Sequence, residues 1–129
     1  MNTLRTGIDL IDVERFRSQR PEIRARFLDR VFTAAEQAYC KDNTQHLAGR
    51  FAAKEAVAKA LGTGIGEIGW QEIEILNDEF GAPQLILHGK AAERAERLGL
   101  SAWSVSITHL KEYAAAVAAA TGESVTEQA

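Results

Sequence analysis

The stretch Phe51 to Gly66, FAAKEAVAKALGTGIG, constrains the fold of this 129-residue chain more than any other. Alanine is the most favourable helix residue, and it fills most positions between three charged side chains, Lys54, Glu55 and Lys59. Residues 44–61 are therefore predicted as the longest helix, with Leu47, Phe51, Ala58 and Leu61 as its apolar stripe. Ala48, Ala52, Glu55 and Lys59 form another stripe, because residues three and four apart stack on one face. The alanines let another backbone come close and leave Glu55 and Lys59 projecting into a narrow space. Taken alone, these two are a surface ion pair worth about 0.3–0.5 kcal/mol. The loop GTGIG then adds Gly62, Gly64 and Gly66, whose backbone N–H groups can form a concave anion site one turn after a lysine. Gly62 is equally well explained as a plain helix stop.

The rest of the chain reads as elements arranged around that helix. TGIDLIDV (6–13) is predicted as a short buried strand, and Pro21 punctuates a basic helical region. Thr33 and Glu36 have capping-box spacing at the start of a helix over 33–40. Residues 71–78 and 82–89 alternate polar and apolar around NDEFGAP, which marks a hairpin. An amphipathic helix ending in a glycine stop follows, and then strands over 101–109 and 112–121, the last made ambiguous by its alanines. The expectation is an α+β fold, a small antiparallel sheet packed on helices in one domain over residues 1–120, with a frayed tail at 121–129.

Composition narrows the function. At 46% hydrophobic and 26% charged, the chain is an ordinary soluble one. No apolar run approaches a membrane span and the polar start MNTLRTG is no signal peptide, so neither membrane nor export is expected. The single cysteine, Cys40, suits the cytoplasm and reads as a packing residue rather than a nucleophile. Six arginines (Arg15, Arg17, Arg20, Arg24, Arg26, Arg30) against two acids put residues 15–30 at +4, leaving the remainder of this −3 chain at −7. A basic stripe on an acidic protein suits an acidic protein partner better than nucleic acid, and the arginine fork suits bidentate contacts; the alternative is a solvated helix face. Asp9 lies within the apolar GIDLI, where a carboxylate is costly unless paired or bound to a cation. Asp9 and Glu55 together offer the two hard oxygens that Mg²⁺ takes when phosphate supplies others, whereas the dispersed His46, His88 and His109 argue against zinc.

Three segments, GID near the start, GRFAAKEAVAKALGTGIG in the middle and SVSITHLKEYAAA near the end, resemble in order those of the bacterial holo-[acyl-carrier-protein] synthases, the short class of 4′-phosphopantetheinyl transferases. The resemblance implies transfer of 4′-phosphopantetheine from coenzyme A to a serine of apo-acyl carrier protein, and a homotrimer with its active sites at subunit interfaces. It implies Asp9 and Glu55 as Mg²⁺ ligands, Lys59 with the Gly64–Gly66 backbone on the diphosphate, and Arg50, His109 and Pro83 as coenzyme A contacts. Arg15, Arg26 and, by proximity, Arg24 fall where the family's basic helix meets the acidic carrier. The serine proton would pass to Glu55, to His109 or to a water on the metal. Two rivals remain in view: a non-catalytic module binding coenzyme A or carrier protein on the same scaffold, and a structural trimer with no ligand.

Overall fold

The computed structural model describes residues 1–124. The chain runs β1 (Asn2–Asp12), α1 (Glu14–Arg17), α2 (Pro21–Val31), α3 (Ala34–Cys40), α4 (Thr44–Ala60), a 3₁₀ turn (Trp70–Glu72), β2 (Ile73–Asn77), β3 (Pro83–Leu87), α5 (Gly89–Leu98), β4 (Leu100–His109) and β5 (Tyr113–Glu123). An antiparallel sheet in the order β1-β5-β4 and a separate β2-β3 hairpin make up the strands. The expected α+β class is what the chain adopts.

α4 lies over the three-stranded sheet and makes its core. Asn43 caps it through its side chain to His46 N, and the buried alanines of β5 (Ala114, Ala116, Ala118 and Ala120) face it. Small residues on both surfaces let helix and sheet approach closely. α4 is buried almost all round, from Leu47 to Ala60 with only Glu55 and Lys59 more open, so the single apolar stripe expected for it is too narrow. It is walled by the sheet on one side and by the hairpin and α3 on the other.

The tightest contact is between β1 and α4. A Cβ on Gly7 would collide with the carbonyl of Ala56 and lie 3.0 Å from Ala60 N. Here glycine is required for close approach rather than for a turn. Arg5, on the same face of β1, donates from Nε to Ala60 O at 2.9 Å, and Arg94 Nε donates to Leu61 O at 3.0 Å. Two guanidiniums thus satisfy carbonyls that the end of α4 leaves free.

Two strand expectations need correction. β1 is eleven residues long, not a short strand, and it is not buried: Leu4, Ile8 and Leu10 are 71%, 64% and 67% exposed. Its inward positions are Arg5, Gly7, Asp9 and Ile11, so of its large apolar residues Ile11 alone enters the core while Leu4, Ile8 and Leu10 point away from α4. β5 continues to Glu123, past the expected start of a tail at 121, and Ser124 N donates to Met1 O at 2.9 Å. The remainder of that tail, 125–129, lies outside the described residues.

Replacing Gly7 with alanine is expected to cost about 3 kcal/mol or abolish folding, because backbone rather than a flexible side chain meets the new methyl. Gly64→Ala, where nothing lies within 4 Å, is expected to be near neutral. Urea denaturation of both variants checks the contrast.

Candidate active site

α4 divides the predicted site residues between its two flanks. Glu55 and Arg50 are five residues apart, roughly 140° around the helix. Glu55 turns toward β1, whereas Arg50 turns toward the hairpin and β4.

On the β1 flank, Asp9 sits in register with Ala116 on the inward face of the sheet, its side chain 20% exposed. Lys59 Nζ donates to Ile8 O at 2.9 Å and reaches Asp9 Oδ1 at 3.4 Å. Lys59 therefore pairs with Asp9 across the β1–α4 contact, and no ion pair to Glu55 exists among the described residues. Glu55 is half-buried; burial, and then the negative charge of Asp9, raise its pKa, while Lys59 and Arg15 oppose the rise. Two carboxylates thus lie close enough to repel, with cations on two sides. Gly64 and Gly66 follow in an open loop, with nothing within 4 Å of a Cβ built on either and Gly66 at φ +133°.

On the other flank, Arg50, Pro83 and His109 line one cavity of about 180 Å³ with Tyr39, His46 and Asn77. Arg50 is only 4% exposed; its guanidinium lies 4.4 Å over the Tyr39 ring and hydrogen-bonds to Asn77 Oδ1. Its Nε is buried with no partner among the described residues. Within one chain Asp9 and His109 lie on the two outer strands of the sheet, β1 and β4, two strand spacings (about 10 Å) across and, from their register with Ala116 and Ala114, two residues apart along the strands. The structure thus brings Asp9, Glu55 and Lys59 together, and separately Arg50, Pro83 and His109.

The arginines differ from one another. Arg15 and Arg26 are exposed, whereas Arg24 is half-buried and donates from Nη1 to Phe16 O at 2.6 Å, tying α2 to α1. Arg15 borders a small recess with Ile11, Gln19, Phe27 and Phe51, so the basic surface adjoins the helix that carries Glu55. Cys40 is buried and its thiol is pushed up to about 11, chiefly by burial, as befits a packing residue.

Sequence reasoning singled out Lys54 as conspicuous and gave it no role. It is fully buried and paired with the equally buried Glu36 at 2.8 Å. Lys54 Nζ also donates to Trp70 O at 3.1 Å and Ile73 O at 2.5 Å, and Glu36 accepts from Thr33 N at 2.8 Å and Ile75 N at 2.7 Å. One charge pair therefore joins α3, α4, the 3₁₀ turn and β2. Burial pulls the Lys54 pKa down and Glu36 holds it up. The Glu36 capping box was legible; its second bond, to a strand 39 residues away, was not.

The fold belongs to a known class. Residues 5–118 match the 4′-phosphopantetheinyl transferase superfamily, and the chain belongs to it. It is 48% identical over 118 residues to the holo-[acyl-carrier-protein] synthase of Herpetosiphon aurantiacus, covering 86% of this chain and 93% of that protein. It is also 48% identical to that of Moorella thermoacetica, covering 89% and 91%. The crystal structure of the Helicobacter pylori holo-[acyl-carrier-protein] synthase in complex with coenzyme A superposes with a TM-score of 0.80 at 33% identity, over 89% of this chain and 98% of that one.

Lys54→Met strands the Glu36 carboxylate in the core and is expected to cost about 3–5 kcal/mol. Adding Glu36→Gln is expected to recover part of that loss, and denaturant titration of the single and double variants measures the difference.

Proposed function

We propose that this chain transfers 4′-phosphopantetheine from coenzyme A to a serine of apo-acyl carrier protein, releasing adenosine 3′,5′-bisphosphate. The observation that carries the reading is the Asp9–Glu55 carboxylate pair beside Lys59 at the β1–α4 contact, in a chain of this superfamily. The rival reading, a non-catalytic binding module, would call for a broken carboxylate pair, and this pair is intact.

The donor set fits magnesium. Both ligands are hard oxygens, and burial and then the Asp9 charge raise the cost of ionising Glu55, a cost that a cation relieves. Asp9 and Glu55 would hold the ion, which when bound neutralises charge on the diphosphate of coenzyme A. Lys59, fixed by Ile8 O and Asp9, adds a positive charge where the leaving phosphate develops negative charge. The Gly64–Gly66 loop has nothing within 4 Å of a Cβ built on either glycine, which leaves room for a diphosphate, and the Gly66 N–H is itself held by Ile68 O at 3.1 Å.

A homotrimer with shared sites accounts for two further observations. The sheet face turned away from α4 carries Leu4, Ile8, Leu10 and Val117 exposed, an apolar surface suited to packing against other copies. The two groups of site residues sit on opposite flanks of α4, so one copy's carboxylates and a neighbour's Arg50, Pro83 and His109 would complete one site. Arg15 and Arg26 face solvent and would receive the acidic carrier, while Arg24 supports the helix pair through Phe16 O. Arg15 is near enough to Glu55 to act on its charge, which would bring a docked carrier serine toward the carboxylates. No helix among the described residues is long and apolar enough to cross a membrane, and a cytoplasmic setting accords with the lone buried thiol.

Coenzyme A is expected to raise the melting temperature only when magnesium is present. Asp9→Asn and Glu55→Gln are expected to lose that shift and all transfer while melting normally without ligand. A metal-independent shift in the wild type contradicts the assignment. Changing Arg15 and Arg26 to alanine is expected to weaken carrier binding about tenfold and flatten its salt dependence, leaving coenzyme A affinity unchanged; titration calorimetry with each ligand separates the two effects.

A further inference from the structure

One arginine of the basic stripe is turned onto backbone, and its target is the turn that follows His109. β4 ends at His109 and β5 begins at Tyr113, with Leu110, Lys111 and Glu112 between them, all exposed. Carbonyls in an exposed turn can be satisfied by water. Here three consecutive carbonyls are instead taken by donors from three other segments. Gln45 Nε2 of α4 donates to Leu110 O at 2.9 Å, and Arg17 Nη2 of α1 donates to Lys111 O at 2.7 Å. Val13 N, just past β1, donates to Glu112 O at 2.9 Å. Leu110 N closes the turn itself by donating to Tyr113 O at 2.7 Å.

Of the three donors Arg17 alone is charged, and its hydrogen bond is the shortest. α1 is only four residues long, but Phe16 fixes it, buried edge-on against the rings of Phe27 and Phe51 with both centroids at 5.5 Å. Ser18 closes the helix by donating its N–H and its hydroxyl to Glu14 O. Arg17 thus reaches out from a fixed base, its Nη1 3.5 Å from Glu14 Oε1. Arg15, two residues earlier, is exposed and acts on the charge of Glu55. The His109 ring meets the His46 ring edge-on at 5.9 Å, and no hydrogen bond holds it among the described residues. Its place is therefore set by the backbone that carries it, one residue before the clamped turn. A group that meets a substrate must be held tightly, since a misplacement of about 1 Å can cost about a hundredfold in rate. We propose that Arg17 is a positioning residue for His109, holding the β4–β5 turn from α1, and is no part of the surface on which the carrier lands. This rests on the transferase reading above, in which His109 takes part in the site and Arg15 and Arg26 receive the carrier. One short helix then serves the carrier through Arg15 and the coenzyme A side through Arg17.

The test uses Arg17→Met, which keeps an aliphatic stem and removes every donor, and Arg17→Lys, which returns one. Arg17→Met is expected to melt close to the wild type. It is also expected to bind apo-acyl carrier protein with unchanged affinity and unchanged salt dependence, in contrast to changes at Arg15 and Arg26. Its transfer, measured as kcat/KM for coenzyme A with magnesium, is expected to fall about tenfold, with KM for the carrier unchanged. Arg17→Lys is expected to recover most of that loss. In a His109→Ala background, Arg17→Met is expected to cost nothing further, because the residue it positions is gone. In NMR spectra the His109 ring resonances are expected to shift in Arg17→Met, while those of His88, between β3 and α5, stay in place. Weakened carrier binding, losses that multiply in the double variant, unmoved His109 resonances or a variant that no longer folds overturns the inference. If Arg17→Met transfers at the wild-type rate, this inference fails and the transferase reading stands. If the wild type transfers nothing from coenzyme A to any carrier, both fail.

Discussion

The close approach of β1 to α4 at Gly7 and Ala56 is the constraint on which the rest depends. A helix and a strand can meet this tightly only where one partner has no side chain and the other has little. That contact carries Asp9, two residues further along β1, to the helix turn that carries Glu55 and Lys59. Arg5 and Arg94 close the end of the same helix by taking its last carbonyls, so the turn before the glycine loop has no freedom to unwind. A carboxylate pair of this kind is costly by itself. Its cost is met by Lys59 from outside and, in the proposed function, by a cation.

The opposite side of α4 is held by a different device. The Lys54–Glu36 pair is dry, and both ions spend their remaining hydrogen-bonding capacity on backbone groups of α3, the 3₁₀ turn and β2. Charged hydrogen bonds to backbone are directional, so the pair sets the rotation of α4 relative to the hairpin. Lys54 and Glu55 are neighbours in sequence with opposite duties. One faces the hairpin and fixes the helix; the other faces β1 and, in the proposed function, holds the metal. Arg50 gains its place against Asn77 from the same hairpin.

Much of this arrangement was legible in the chain. The alanine-rich helix was readable because propensity and length agreed, and the hairpin because alternation and the NDEFGAP turn agreed. Asp9 stood out as a carboxylate in apolar surroundings. β1 was misread because its pattern is largely inverted: Leu4, Ile8 and Leu10 face away from α4, and the inward face carries an arginine, a glycine and an aspartate before Ile11. Hydrophobicity cannot assign the inner face of such a strand. Lys59 was placed correctly on its helix, but one-dimensional spacing offered only Glu55 as its partner, whereas the structure supplies Asp9 from a strand 50 residues earlier. The resemblance grouped Arg50, Pro83 and His109, but Tyr39, His46 and Asn77 could not be joined to them from the sequence, because α3, α4, the hairpin and β4 each contribute part of the cavity.

The central claim is that this scaffold, with its carboxylate pair, moves phosphopantetheine to a carrier serine. The most direct measurement is the intact mass of an apo-acyl carrier protein incubated with this protein, coenzyme A and magnesium, beside a sample containing a chelator. The account predicts a gain of one phosphopantetheine per carrier that vanishes with the chelator. A gain that persists in the chelator, or no gain on any of a panel of carriers while coenzyme A still binds, would contradict it.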